Sequence, residues 1–239
     1  MVKMTADSRN TPTRPPAEQY WAESRRPLAS LAFIAPLLVV YEAGVLGLGA
    51  QNGADALMRS LLSLLGLGHF VLPVLTVCIL LAWQHLSHQP WRVSGRVVWG
   101  MAAESVALGL CLCLVCLLWK PPSMSIGETL RNHAGQFVAL LGAGIYEELL
   151  FRLILLSLMA WTLRRAGLPP RATVIAAVLA NSLVFAAAHY VGSHGDPFRW
   201  YTFTFRSLAG AFFSVVFIYR GFGIAAGSHA AYDVLVTLL

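Results

Sequence analysis

Long apolar runs separated by short polar stretches dominate the chain from residue 28 onward. A helix needs about 20 mostly apolar residues to cross a bilayer. The stretch 54–68 is shorter and carries Asp55 and Arg59 near its start, which favours a re-entrant or interfacial helix. The remaining runs predict six or seven membrane helices, over about 28–50, 70–87, 97–119, 134–163, 172–190, 203–219 and 222–239.

Polar and proline-containing stretches set the expected limits of these helices. The sequence Lys120-Pro121-Pro122 is expected to end the third helix, because proline cannot continue a helix and restricts the residue before it. Residues 1–27 are polar, contain Pro, Arg and Glu throughout, and lack the early apolar core of a cleavable signal peptide. We therefore expect a flexible cytoplasmic tail over 1–27 and one membrane domain over 28–239.

Composition supports this interpretation. Of the 239 residues, 57% are hydrophobic and 12% are charged, about half the ~25% charged residues of soluble domains. These values exclude a soluble enzyme, a disordered protein and an ordinary nucleic-acid binder. The net charge of +6 does not point to nucleic acid, because cytoplasmic loops of membrane proteins carry excess Lys and Arg. The predicted fold class is all-α, a polytopic transmembrane helix bundle of about 6–8 membrane helices.

The distribution of basic residues predicts the orientation of the bundle. With the N-terminus in the cytoplasm, the outer segments hold five basic residues, and Arg152 lies within a helix. The excess on the inner side favours this orientation, and a bacterial inner membrane is the expected location. The 11 inner residues are Lys3, Arg9, Arg14, Arg25, Arg26, Arg92, Arg96, Arg164, Arg165, Arg171 and Arg220.

Three ionisable residues stand close together in the fourth predicted helix: Glu147, Glu148 and Arg152. Each costs about 2.5–3.5 kcal/mol near the middle of a membrane helix, so other interactions must offset that cost. Glu148 and Arg152 are separated by four residues, share a helix face and are expected to pair. Glu147 points about 100° away and is expected to face the bundle interior. Two carboxylates in unlike environments are typical of acid–base chemistry.

Further polar residues recur at helical spacing in two other helices. Asn181 and His189 lie on one stripe of the fifth helix, and His229 and Asp233 lie on one face of the seventh. Two histidines are therefore expected to meet Glu147 in the bundle interior, where a neutral imidazole beside a carboxylate acts as a base or positions water. Residue counts from the helix ends place His189 and His229 at different depths, which leaves the depth of the site open.

A structural role is the alternative for each of these residues taken alone. A single intramembrane histidine or aspartate often serves helix packing. Together, the polar groups of the fourth, fifth and seventh predicted helices favour a functional site over a purely structural role. Glu42 in the first span is expected to support the site or bind a polar substrate group, and Glu104 is expected to lie at the membrane interface.

The three polar groups resemble the motifs of the CPBP family, which contains the CAAX-prenyl-endopeptidase-like and bacteriocin-processing intramembrane proteases. EELLFR, residues 147–152, matches the Glu-Glu-x-x-x-Arg motif. FAAAH, residues 185–189, matches the Phe-x-x-x-His motif, and HAAYD, residues 229–233, is similar to the third motif, His-x-x-x-Asn or Asp. The motifs occur in the family's order and fall within residues 134–239.

The resemblance implies a glutamic-type intramembrane endopeptidase that cleaves a membrane-associated or lipid-anchored protein without a cofactor. Glu147 and His189 would then activate a water for attack on a peptide carbonyl. The oxyanion would be stabilised by His229 and residue 233, and Glu148 with Arg152 would hold the first glutamate in place. The substrate's identity, including whether it is prenylated, is not implied.

One position departs from the commoner form of the third motif. Residue 233 is Asp where Asn is usual. An ionised Asp233 would repel an oxyanion, so it must be protonated or must instead orient His229.

Three other functions remain open from the sequence. Two histidines and a carboxylate can bind Zn²⁺ with an open position for water, although the HExxH motif is absent. A non-enzymatic binding, immunity or chaperone-like membrane protein would not need the Glu/His constellation. A transporter could relay protons through Glu147 and His189, but transporters are often built from inverted repeats, and the sequence shows none.

Overall fold

The computed structural model describes residues 16–49, 52–68, 71–119, 133–191 and 195–238. Within these ranges the regular secondary structure is entirely helical, which confirms the all-α prediction. The segments are α1 (Pro16–Ser24), α2 (Pro27–Leu48), α3 (Gly53–Leu64), α4 (Val71–Leu86), α5 (Gly95–Trp119), α6 (His133–Gly142), a π-helical segment (Ala143–Leu156), α7 (Ser157–Arg165), α8 (Pro170–Ala188), α9 (Trp200–Arg220) and α10 (Phe222–Leu238).

Four of these helices, α2, α5, α8 and α9, are long and apolar enough to cross a membrane. Apolar side chains on their surfaces face outward, such as Val39 at 67% exposure, as expected for an integral membrane protein. With 12 residues, α3 is shorter than the ~20 residues of a spanning helix. The predicted helix over 134–163 is formed by α6, the π-helical segment and α7, which follow one another without a loop.

The first half of α10 forms the centre of the bundle. Nine consecutive residues, Phe222–Ala230, are buried, and α10 packs against α5, α9, α2 and the π-helical segment. Small residues permit this close packing. A Cβ atom on Gly144 would lie 2.7 Å from the Ala226 carbonyl oxygen, and one on Gly109 would lie 2.8 Å from the Tyr232 nitrogen.

Part of the segment expected to be a flexible tail forms α1, which packs against α5 and α2. The Tyr20 hydroxyl donates to Glu104 (2.6 Å), and burial raises the pKa of Tyr20 above its usual range. Glu104 also accepts from Arg220 (2.7 Å), whose guanidinium lies 3.9 Å from the ring centre of Trp21. Residues 1–15 and the Lys120-Pro121-Pro122 break lie outside the described residues.

A tight turn joins α7 to α8 and sets the path of α8 past the π-helical segment. Gly167 adopts a φ of +89°, a conformation that glycine reaches without steric cost. Pro170 then occupies the first turn of α8, where its missing N–H costs nothing. As a result α8 packs against both α9 and the π-helical segment, with His189 directly after its last residue.

Candidate active site

Both glutamates of the first motif lie in the π-helical segment. π-Helical hydrogen bonds run from i to i+5, and such segments often occur at functional sites. The Glu148 side chain is fully buried and that of Glu147 is 13% exposed. The Oε2 atom of Glu147, the glutamate expected to face the bundle interior, is buried, and the Glu148 side chain is the more deeply buried of the two.

Glu148 and Arg152 form the predicted ion pair, with Oε1 and Nη1 2.9 Å apart and both side chains fully buried. Arg152 Nη2 also donates to the carbonyl oxygen of Gly210 on α9 (3.2 Å). The guanidinium carbon lies 4.3 Å from the ring centre of Phe185, a cation–π contact. These contacts offset the cost of a charge in the bundle interior, because buried charges need partners.

His229 approaches the same glutamate from α10. Its Nδ1 lies 2.7 Å from Glu148 Oε1. Its ring stacks on Phe213 of α9, with centres 4.4 Å apart and planes 16° apart. Because Glu148 is paired with Arg152, the carboxylate accepts and His229 Nδ1 carries the proton. This arrangement leaves Nε2 of His229 as the nitrogen available to other groups.

His189 is held in a comparable way at the end of α8. Its Nδ1 lies 2.8 Å from the carbonyl oxygen of Phe185. A carbonyl oxygen only accepts, so Nδ1 carries the proton and Nε2 is free to accept one. The bond to a carbonyl four residues earlier also turns the imidazole back along α8. His189 and His229 both reach Glu147, although the residue counts placed the two histidines at different levels.

Both imidazoles face one carboxylate oxygen. Glu147 Oε2 lies 4.0 Å from Nε2 of His189 and 3.8 Å from Nε2 of His229. Asp233 Oδ2 lies 3.6 Å from Nε2 of His229. These separations exceed a direct hydrogen bond, but one oxygen atom placed between such a pair can be about 2.8 Å from both. The structure therefore brings the six predicted site residues together: Glu147, Glu148, Arg152, His189, His229 and Asp233.

Other polar residues divide between the site and its surroundings. Asn181, from the α8 stripe, donates to Ser214 Oγ (3.3 Å) and joins α8 to α9. Glu42 supports the site: it accepts from Tyr146 (2.6 Å), the residue before Glu147, and pairs with Arg59 (2.8 Å).

The sequence analysis missed Asn52, whose Nδ2 donates to Glu147 Oε1 (3.2 Å). Its only sequence signal is its position just before α3, where Asn is a favoured N-cap residue. That signal concerns helix formation and says nothing about a partner 95 residues away.

Metal binding was the alternative chemistry for the two histidines. Among the described residues, no group of three or more His, Cys, Asp and Glu side chains has an arrangement that could hold a metal ion. The side chains nearest this chemistry form three pairs: Glu147 with His189 (4.0 Å), Glu147 with His229 (3.8 Å), and His229 with Asp233 (3.6 Å).

A comparison of the sequence with known protein families gives a match, and it covers the six predicted residues of this site. The family model for the Type II CAAX prenyl endopeptidase Rce1-like family matches residues 131–235. No curated protein and no solved structure matches the chain significantly. The matched range contains all three motifs, and the family supports membrane protease activity in general. Over residues 131–235 the chain is thus similar to the CAAX-protease-like family, and its four long apolar helices are those of an integral membrane protein.

Proposed function

We propose that this protein is a glutamic-type intramembrane endopeptidase that hydrolyses a peptide bond in a membrane-associated or lipid-anchored protein. The observation that carries the proposal is the convergence of two imidazole Nε2 atoms on Glu147 Oε2. This oxygen is buried and has no hydrogen-bond partner among the described residues. A buried acceptor of this kind calls for a partner, and a water between Glu147 and His189 would supply one.

In the first step, Glu147 and His189 position that water beside the scissile carbonyl. His189 Nε2 accepts one hydrogen bond from it, because Nδ1 donates to Phe185. Glu147 Oε2 takes the water's other proton as the oxygen attacks the carbonyl carbon. The carbonyl π bond opens, and its electron pair moves to oxygen to give a tetrahedral oxyanion. General-base catalysis of this type typically contributes about 10²–10⁴ in rate.

His229 and Asp233 are proposed to stabilise the oxyanion. Glu148 holds the Nδ1 proton of His229, and in its doubly protonated form the imidazole presents a second donor, Nε2–H. Asp233 lies 3.6 Å from that nitrogen and donates when protonated. Each oxyanion donor of this kind is worth about 10²–10³ in rate.

In the last step the C–N bond breaks and Glu147 returns its proton to the leaving amine. The products are a new carboxyl terminus and a new amino terminus. Glu148 and Arg152 take no part in proton transfer in this scheme. They hold His229, and the π-helical segment that carries Glu147, in place through their contacts with α9 and α10.

The membrane setting follows from the same interpretation. We place the N-terminus in the cytoplasm of a bacterial cell, in accordance with the excess of basic residues on that side. Residues 1–27 then form a cytoplasmic region that includes α1, and residues 28–239 form the protease domain.

A comparison of membranes from three strains tests the proposal. The strains carry the wild-type protein, no copy of it, or the Glu147→Gln variant, and their membrane proteins are quantified by mass spectrometry. The proposal predicts a precursor that accumulates in the last two strains and is cleaved by purified wild-type enzyme in lipid vesicles. Normal processing of every membrane protein in both deficient strains would contradict it. A farnesylated CAAX peptide and its unprenylated counterpart, added to the same vesicles, determine whether prenylation is required.

A further inference from the structure

Asn52 lies outside the three motifs and forms a hydrogen bond with the proposed base, Glu147. Its Nδ2 donates to Glu147 Oε1 over 3.2 Å. We infer that Asn52 is a positioning residue, which fixes the Glu147 carboxylate so that Oε2 faces both histidines. This inference rests on the proposed function, because it assigns Asn52 a role in presenting the catalytic base.

The amide of Asn52 is oriented by the start of α3. Its Oδ1 accepts from the backbone N–H of Ala54 (2.8 Å), the N-cap bond of that helix. In a side-chain amide the oxygen only accepts and the nitrogen only donates. Because the cap occupies the oxygen, the group directed at Glu147 is the NH₂. The contact is therefore a donor to a carboxylate, and reversing the amide would disrupt both bonds.

The backbone of Asn52 is held as well. Its N–H donates to the Tyr41 hydroxyl (3.1 Å), and that hydroxyl donates to Asp55 Oδ2 (2.7 Å). The Asp55 side chain is fully buried, and its other oxygen accepts from Arg59 Nε. Asn52 is thus connected to α2 and to the first turns of α3.

Hydrogen bonds also connect α3, through Arg59 and Glu42, to the π-helical segment. Arg59 Nη2 donates to both carboxylate oxygens of Glu42, over 2.8 and 3.0 Å. Glu42 also accepts from the hydroxyl of Tyr146 (2.6 Å), and Tyr146 directly precedes Glu147. Two attachments, one at Tyr146 and one at Glu147, therefore fasten α3 to the segment that carries the proposed base.

The hydrogen bond from Asn52 matters because a glutamate carboxylate rotates easily about its last torsion angle, which has only broad preferences. With Oε1 bound to Asn52, the plane of the carboxylate is set and Oε2 is directed at His189 and His229. Without that bond the two oxygens exchange places and the carboxylate samples orientations away from the water. Removal of the amide donor should therefore lower kcat and leave KM nearly unchanged.

The variant Asn52→Asp isolates the donor. Aspartate is as good an N-cap residue as asparagine, so α3 should keep its cap, but it cannot donate to Glu147 when ionised. We expect kcat to fall roughly 10- to 100-fold, the range for loss of a hydrogen bond to a charged group. The acid limb of the pH–rate profile should move to higher pH, because the ionised base loses a donor and gains a negative neighbour. Asn52→Ser also keeps a capping oxygen and adds no charge, so it should lower kcat with a smaller shift of that limb.

The substrate for these measurements is a peptide spanning the cleavage site of the precursor found in the three-strain comparison. Gln84→Glu is the matched control, because it makes the same amide-to-acid change at a second hydrogen-bonded amide, which is buried. Gln84 joins the Leu28 N–H and the Pro90 carbonyl, each over 3.0 Å, away from the site. This control should lower abundance or thermal stability, while the enzyme that remains keeps the wild-type pH profile.

Glu147→Gln, assayed in parallel, separates the two hypotheses. If Glu147→Gln is inactive while both Asn52 variants keep wild-type kcat and pH profile, the inference about Asn52 is wrong and the proposed function stands. If Glu147→Gln cleaves as well as wild type, the proposed function itself fails. If neither Asn52 variant accumulates in the membrane, Asn52 has a folding role, which also overturns the inference. Should Asn52→Asp alone fail to fold, Asn52→Ser decides the outcome.

Discussion

His229 Nδ1 lies 2.7 Å from Glu148 Oε1, the same oxygen that lies 2.9 Å from Arg152 Nη1. A single buried oxygen thus connects the first and third motifs. It gives Glu148 a role that differs from that of its neighbour, because Glu147 faces the free nitrogens of the histidines. Substitutions at Glu147 and at the residues that face it should therefore lower the rate of cleavage. Substitutions at Glu148 and its partners should also lower the stability of the fold.

Substitution at the reacting side should abolish activity and spare the fold. We expect Glu147→Gln and His189→Ala each to lose at least about 100-fold in cleavage rate, because the first removes the base that takes the proton and the second removes the acceptor that positions the water. Their abundance and thermal stability in detergent should stay near wild type, since both side chains are partly exposed, at 13% and 27%. Cleavage assays on matched amounts of purified protein test this, and near wild-type rates would contradict the mechanism.

Arg152→Ala, by contrast, should lower abundance as well as activity. It leaves Glu148 buried without its cation, and breaking a buried pair from one side costs about 3–5 kcal/mol. The double variant Glu148→Gln/Arg152→Ala should recover part of the lost abundance, because no unpaired carboxylate remains at that position. Quantitative blots of membrane fractions measure both effects. Normal accumulation of Arg152→Ala would show that the pair contributes little to folding.

Much of this site follows from sequence because its contacts obey helical spacing. Glu148 and Arg152, and His229 and Asp233, are each four residues apart and do lie together in the structure. The apolar runs likewise predict the helices well: the run over 97–119 corresponds to α5. The catalytic roles of these residues are still predictions.

Other features depend on long-range contacts or on backbone geometry that the sequence does not encode locally. Asn52 and Glu147 meet across 95 residues, and Tyr20 and Glu104 across 84. The π-helical backbone was not predicted either, because an apolar run does not distinguish i→i+4 from i→i+5 hydrogen bonding.

Close packing of the π-helical segment on α10 gives a prediction about glycine. A Cβ on Gly144 would lie 2.7 Å from both the Ala226 carbonyl oxygen and the Ala230 Cβ. Gly144→Ala should therefore push the segment away from α10 and lower both thermal stability and activity. Gly47→Ala is the matched control, because its Cβ would meet nothing within 4 Å and alanine favours a helix by up to about 1 kcal/mol. Equal melting temperatures for the two variants would contradict the packing argument.

The Asp233→Asn variant tests the chemistry of the third motif. Asp233 lies 3.6 Å from Nε2 of His229, where a side chain can donate to an oxyanion. Asn fills the same space and donates through its amide at every pH, whereas Asp donates only when protonated. An oxyanion role therefore predicts that Asp233→Asn keeps substantial activity. It also predicts a flatter acid-to-neutral pH profile, since wild-type activity falls as Asp233 loses its proton and the variant has no proton to lose there.

A metal-ligand role for Asp233 predicts the opposite result. Asn is a poorer ligand than a carboxylate for most metals, so activity and bound metal would fall together. Asp233→Ala does not separate the two models, because loss of an oxyanion donor alone lowers the rate about 10²–10³-fold. The decisive measurement is cleavage rate against pH for wild type and Asp233→Asn, with metal content determined on the same samples before and after a chelator. An active Asn variant with a flatter pH profile than wild type, whose rate is unchanged by the chelator, supports the oxyanion role, whereas an inactive, metal-depleted one would establish the zinc alternative.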